Sequence, residues 1–309
     1  MRNATPLPLP ELGVLAVRGP DARRFLNGQL SQDVLSLDGA TVRLAGLHNP
    51  QGRVLAVLRL VAWADDVVLC VLPRAAITEL RPLLARYLLR AKATLTDESA
   101  AWRLEGLWTA DATTDSSTAG AARREGEALS WRHATDGRRL RLSPVAAADA
   151  AATEAPVDDA ARDTWHLADI AAGLPEVRPA TRGVFVAQML NLDVLDGISF
   201  TKGCYTGQEV IARAHYRGRV KRRLQRFEAA WPEGAAVPAP GDPLRLSDGR
   251  AGQLVSAVLR RDGKLEFLAV APYASASGGG EAEAPQAGGP DSAPRLEATP
   301  LPLPYALPD

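Results

Sequence analysis

The sequence predicts an α+β protein whose C-terminal part forms a small antiparallel β-barrel or sandwich. Three observations carry this. Short, mostly apolar runs at 12–17, 54–61 and 67–72 read as strands. Apolar residues at helical spacing appear near 22–30, 75–89 and 159–172. Three short apolar runs at 244–246, 253–259 and 265–270 are separated by Asp-Gly turns.

Gly19-Pro20-Asp21 ends the first strand and opens a helix that buries Ala22, Phe25, Leu26 and Leu30. Asn49-Pro50-Gln51-Gly52 is a turn. The runs 54–61 and 67–72 form a hairpin with Asp65-Asp66 at its tip. The helix over 75–89 carries Ile77, Leu80, Leu84 and Leu88 on one face, and Pro82 should kink or delay it. Residues 109–120 are small and polar, a loop; 146–155 are alanine-rich, a helix or a linker. The next helix starts near Asp159 and stops at Ala172, before Gly173 and Pro175. Residues 232–242 read as a linker or long turn, and 274–294, nearly without large apolar groups, as a disordered insertion. The ending LPLPYALP is apolar again and returns to pack on the C-terminal sheet. The division is 1–221, an α+β region of two interleaved subdomains, then 222–309.

Composition narrows the function classes. The 309 residues carry 36 Lys plus Arg and 36 Asp plus Glu, so any electrostatic role must be local. Two cysteines cannot build a disulfide framework, and four histidines without a CxxC make no metal site legible. The N-terminus does not read as a signal peptide, and no apolar stretch is long enough for a membrane helix, so a reducing cytoplasm and no membrane are expected.

The informative segment is 197–226. Gly203 and Gly207 bracket Cys204-Tyr205-Thr206, and two glycines this close allow positive-φ turns and close backbone approach. Gln208 and Glu209 open a helical run with Val210, Ile211 and Ala214, which places Cys204 just before a helix N-terminus, beside Lys202. Such a setting favours a thiolate; a loop cysteine without a role is the bland alternative. From Lys202 to Arg226 there are two lysines and six arginines against Glu209, a net of +7. Such a patch suits an anion: nucleic acid, phosphate or the carboxylates of a small ligand. It also suits a solvated strand edge. Cys70, inside VVLCVL, reads as core. Trp165 and Phe185 could line a ring pocket but read first as core. A Cys204–histidine nucleophile pair with His215 or His166 has little support from spacing.

The segment KGCYTGQE (202–209) resembles the hallmark K-G-C-[YF]-x-G-Q-E of the YgfZ family, matching at every defined position. VRGPDARRFLNGQLSQDV (17–34), LHNPQGRVLAVLRL (47–60), RYLLRAKATLTD (86–97), IAAGLPEV (170–177) and MLNLDVLDGISF (189–200) resemble flanking family segments in the expected order. The resemblance spans roughly 11–270. It implies an aminomethyltransferase (T-protein)-like folate-binding fold with a C-terminal small antiparallel β-barrel. It further implies tetrahydrofolate (or a derivative) as ligand, and a role supporting assembly or repair of iron–sulfur enzymes, tRNA-modifying ones included. Iron–sulfur enzymes or assembly factors are the implied partners.

Under that resemblance Cys204 is the functional thiol, and Lys202, Gly203, Tyr205, Gly207, Gln208, Glu209, Arg213 and Arg222 are the expected folate-binding residues. The aminomethyltransferases carry an acid in an L-E-A-G segment; alignment puts Ala171 there, and Asp169 two residues away on another helix face. Their catalytic aspartate has no clear counterpart beyond Glu79. This argues against ordinary glycine-cleavage enzymology. The alternatives are a folate-dependent one-carbon transferase and an RNA-binding module using 202–226. Nucleic acid is disfavoured, because few aromatics flank the patch beyond Tyr205 and Tyr216.

Overall fold

Strands buried on both faces dominate the first half of the chain. The computed structural model describes residues 5–108, 118–146, 158–218, 220–273 and 295–308. A two-residue strand β1 (Leu7–Pro8) precedes β2 (Leu12–Arg18), α1 (Ala22–Asn27), β3 (Arg43–His48), β4 (Val54–Ala64), β5 (Val67–Pro73), α2 (Arg74–Ala85) and β6 (Thr94–Asp97). The first sheet has the order β3-β4-β5-β2-β6, all antiparallel. Successive side chains of a strand point to opposite faces. Leu15 and Val17 of β2, with Val68, Cys70 and Leu72 of β5, pack under α1 and α2. Val14 and Ala16, with Val67, Leu69 and Val71, pack on a second sheet. Both faces are dry, so these strands read as unbroken apolar runs.

That second sheet comprises β7 (Trp102–Leu107), β8 (Ala122–Glu125), β9 (Ala128–Arg132) and β10 (Arg139–Pro144), in the order β1-β7-β10-β9-β8. No strand was expected there; its strands interleave apolar and charged residues and lack the unbroken runs of the first sheet.

Helix α3 (Asp159–Ala171) begins where Asp158 Oδ1 accepts the Ala160 N–H at 2.9 Å and stops before Gly173, whose φ is +65°. Short α4 (Gln208–Tyr216) follows the 202–207 loop. The remaining strands are β11 (Arg222–Ala230), β12 (Pro243–Leu246), β13 (Ala251–Leu259), β14 (Lys264–Pro272), β15 (Arg295–Leu296) and β16 (Ala298–Leu301). They form a curled sheet in the order β15-β12-β13-β14-β11-β16, antiparallel except for the β12–β15 pair. One face closes around Phe227, Phe267, Leu254 and Leu265; the other carries Leu224, Leu268 and Val270 onto the 184–211 region and the near end of β4. Phe227 and Phe267 are 1% and 0% exposed. Burying each contributes about 2–3 kcal/mol.

The chain end does return: β16 pairs with β11, and Tyr305 donates to the Gly173 carbonyl at 2.8 Å. The second helix differs from expectation. It runs through Pro82 but ends at Ala85 rather than 89, and Leu89 takes a left-handed φ of 38°. The helix beyond Pro82 is thus one turn shorter than its apolar spacing implied. The alanine-rich 147–155, residues 109–117 of the polar loop and the insertion 274–294 lie outside the described residues.

Candidate functional site

The 202–207 loop is pinned from three sides. Lys202 Nζ donates to the carbonyls of Asn27, Leu30 and Gln32 at 2.5, 2.7 and 2.9 Å. Three donors meet three acceptors, which holds the loop to the segment after α1. Burial pushes Lys202 down to about 8, against the pull of Asp33, so the group remains an ammonium at neutral pH. Its Nζ also lies 5.1 Å from the Tyr205 ring centroid. Tyr205 is buried, with its phenol pushed up to about 12 by burial. Its ring lies 6.2 Å from that of His48. Gly207 has φ +83°, and a Cβ there would lie 2.5 Å from the Asn49 carbonyl oxygen. Only glycine lets this loop rest on the Asn49–Gly52 turn.

Gly203 corrects the sequence expectation. Its φ is not positive and a Cβ would meet nothing within 4 Å. Positive φ is needed once in this loop, at the contact with the turn. Cys204 is exposed four residues before α4. Gln208 and Glu209 form the first turn of α4, and Arg213 is exposed on its last.

Half of the basic run is internal structure, and Arg219 lies outside the described residues. Arg222 Nη2 donates to the Ala251 and Val270 carbonyls at 3.1 and 3.4 Å, and burial lowers its pKa. Arg223 pairs with Asp193, and Arg226 with Glu266 at 2.7 Å. Of the cations expected to draw an anion, Arg213, Arg217 and Lys221 remain exposed and without an ion pair among the described residues.

A cleft of about 470 Å³ lies elsewhere, where the three sheets meet α3. None of the motif residues 202–209, nor Arg213 or Arg222, lines it. Its walls include Arg59 of β4, His133 beyond β9, Trp165 and Asp169 of α3, and Glu176 and Arg178. Asp169 Oδ1 accepts from His133 Nε2 at 2.9 Å and from Arg138 Nη1 at 2.8 Å. Burial works to raise the Asp169 carboxyl, but His133, Arg138 and Arg59 outweigh it and hold the group well below the ordinary carboxylate range. Burial pushes His133 down to about 4, against the attraction of Asp169. Its Nδ1 makes no hydrogen bond among the described residues. Trp165 stacks on His133 at 5.5 Å and 23°, and the Arg138 guanidinium lies 4.5 Å from the Trp165 ring centroid. Arg59 makes no hydrogen bond among the described residues; burial lowers its pKa while Asp169 and Glu176 pull it up.

The cleft nonetheless contains an acid: Asp169 lines it, whereas Ala171, the aligned position, does not. The face of α3 toward the cleft is set by Arg162, Trp165, His166 and Asp169, at i, i+3, i+4 and i+7. Asp169 belongs to that face, whereas Ala171 lies off it. Glu79 sits on α2, paired with Arg182, and does not line the cleft. Sequence reasoning missed Arg59 and His133. Arg59 carried one faint signal, a lone charge inside VLRLV.

No family model matches the chain. A tRNA-modifying protein YgfZ of Klebsiella pneumoniae (strain 342) is 31% identical, over 84% of this chain and 83% of its own. One of Edwardsiella ictaluri (strain 93-146) is 33% identical, over 82% and 80%. Among solved structures, the glycine cleavage system aminomethyltransferase T from Bartonella henselae superposes with a TM-score of 0.60 at 18% identity, over 86% of this chain and 77% of that one. The fold is that of the aminomethyltransferases. With relatives above 30% identity along most of its length, the chain belongs to the YgfZ family.

Proposed function

We propose that this protein binds tetrahydrofolate in the central cleft and serves as a cytoplasmic accessory factor for iron–sulfur enzymes, tRNA-modifying ones among them. Support for the tRNA link comes from the names of its relatives. The observation that carries the ligand is the cleft itself, which Arg59, without a hydrogen bond among the described residues, lines together with Trp165 and the half-buried Asp169 and Glu176.

The residues present fit a folate. The cleft volume of about 470 Å³ is in the range of small-molecule sites. Trp165 offers apolar surface and His133 Nδ1 an unsatisfied buried polar atom for the ring system. Arg59 and Arg178 suit the tail carboxylates. Bound tetrahydrofolate would supply a one-carbon carrier. This chain's contribution is to bind and orient it and to keep Asp169 ionised. The Asp169 carboxylate is already engaged by His133 and Arg138, which disfavours the one-carbon transferase reading. Cys204, held out on a pinned loop away from the cleft, is the thiol presented to the client enzyme.

Calorimetric titration with tetrahydrofolate tests the ligand. Binding at micromolar strength, about 8 kcal/mol, is expected. Arg59→Met should weaken it about tenfold, as expected for losing a charge-assisted hydrogen bond. Cys204→Ala should bind as wild type. Absence of heat at millimolar ligand, or an unchanged Arg59→Met, would overturn the assignment.

A further inference from the structure

The outer face of α4 collects groups that the fold does not use. Phe200, half-buried on the core beneath, stacks on the exposed His215 ring at 3.8 Å and 17°. Tyr216 meets both rings edge-on, at 6.1 and 4.7 Å, and remains 68% exposed. The three rings form a continuous aromatic step that ends in solvent. Arg213 lies three residues before Tyr216 on α4, Arg217 follows it and Lys221 lies five residues on; all three are exposed and without an ion pair among the described residues.

Several arginines elsewhere in the chain are tied into ion pairs, while Arg81, Arg86 and Arg90 are exposed without one among the described residues. Arg18, Arg138, Arg223, Arg226, Arg250 and Arg260 all hold a carboxylate. Favourable interaction with the C-terminal end of α4 accounts for Arg213 and His215. It extends to Arg217, the C-cap residue, but not to Lys221, which lies beyond the helix, nor to an exposed tyrosine fixed by two neighbouring rings. An exposed aromatic step whose cations make no ion pair among the described residues suits a partner that offers flat π-faces on a phosphate chain. Base–aromatic stacking combined with a positive track is the usual physics of single-strand recognition. A protein partner would want a larger apolar patch and fewer free cations at its centre.

We infer that the Phe200–His215–Tyr216 step, with Arg213, Arg217 and Lys221, is a docking surface for unpaired nucleotides of an RNA, such as those of a hairpin loop. The exposed ring of Tyr216 stacks on a base, and the cations take the flanking phosphates. This deepens the tRNA-linked reading by adding direct contact with RNA, and it stands apart from the folate cleft, to which none of these residues belongs.

The test is fluorescence anisotropy of the full chain with a labelled RNA hairpin and, in parallel, a blunt duplex of the same composition. The hairpin should bind at low micromolar protein, and the duplex about tenfold more weakly. Tyr216→Ala should weaken hairpin binding about tenfold, while Tyr216→Phe retains it, because stacking needs only the ring. Arg213→Glu with Arg217→Glu should lower the slope of log affinity against log salt by about 1.4, two phosphate contacts on a single strand. Arg261→Glu, a single substitution of the same kind on the β13–β14 turn, should bind as wild type. Melting curves and the tetrahydrofolate titration of each variant should match the parent, so that a failed RNA contact is distinguished from a failed folate site. Equal binding of hairpin and duplex, wild-type binding by Tyr216→Ala, or equal losses in Arg261→Glu and the double variant would overturn the inference. Capture of a protein by this face without RNA affinity would overturn it as well.

Discussion

Arg223 and Asp193 face each other as a two-pronged buried ion pair, Nη1 to Oδ1 and Nη2 to Oδ2, both at 3.0 Å. Their side chains are 4% and 8% exposed. The pair ties β11 to the turn after 190, and Nη1 also donates to the Gln188 carbonyl at 3.1 Å. An arginine counted in the sequence as part of an anion-seeking patch is therefore internal. Breaking such a pair leaves a charge in a dry site, whereas replacing both partners removes the problem. Asp193→Ala should lose about 3–5 kcal/mol in urea denaturation. Arg223→Met combined with Asp193→Leu should recover most of that loss. A double variant no better than Asp193→Ala would show that the geometry, and not the stranded charge, sets the cost.

The two glycines of the loop should behave differently. Gly207→Ala forces a left-handed alanine and drives its Cβ into the Asn49 carbonyl oxygen and Gly52. The backbone conformation alone costs about 1–2 kcal/mol, and the clash adds to it. Gly203→Ala meets neither penalty and should stay within about 0.5 kcal/mol of the parent. Thermal melts of the two variants decide the matter; equal shifts would contradict the pinned geometry of the loop.

The cysteines separate by burial. Cys70 is 0% exposed, and burial pushes its thiol up to about 12. Cys204 is exposed. In the folded protein a thiol reagent should consume Cys204 alone, with Cys70 reacting only in denaturant. Cys204→Ser should leave the melting temperature unchanged and remove the fast reaction. Fast reaction at Cys70 in native buffer would mean that the sheet beneath α1 and α2 opens far more readily than its packing implies.

What was legible in the sequence followed burial. Strands β2 and β5 announced themselves because both faces are dry, and the last hairpins because Asp248-Gly249 and Asp262-Gly263 mark their turns, with both glycines at positive φ. The 202–209 segment was legible as a loop entering a helix. Strands β8 to β10 were not, since charged residues such as Arg123, Arg124, Glu125 and Arg132 break their apolar pattern. The cleft was invisible for a different reason. Arg59, His133 and Asp169 come from segments far apart in the chain, and only the packing of three sheets on α3 brings them together. Local spacing carries no information about such an encounter. It placed the expected ligand contacts on the motif, which the structure holds away from the cleft.

Two buried histidines set an acid limit on stability. His48 is 2% exposed with neither ring nitrogen hydrogen-bonded, and burial pushes it from the ordinary 6.5 down to about 3. His133 is pushed down to about 4, chiefly by burial, with Arg59 and Arg138 adding to the effect and Asp169 opposing it. In both cases the folded pKa lies below the unfolded one. Below about pH 6.5 the unfolded chain binds protons that the folded chain refuses, so stability falls as pH falls. Each histidine contributes a slope of up to about 1.4 kcal/mol per pH unit. Asp169 does not confuse this window. Its depressed carboxyl contributes stability that is fully present above its unfolded value, about 3.9, and is lost only at lower pH. Urea denaturation between about pH 7 and pH 5 should therefore show a steady loss on acidification, beginning near 6.5. His48→Leu, which cannot take up a proton, should remove about half of the slope and leave the pH 7 stability little lower, since the ring makes no hydrogen bond. A flat profile in the parent, or an unchanged slope in His48→Leu, would show that these rings reach solvent in the folded protein.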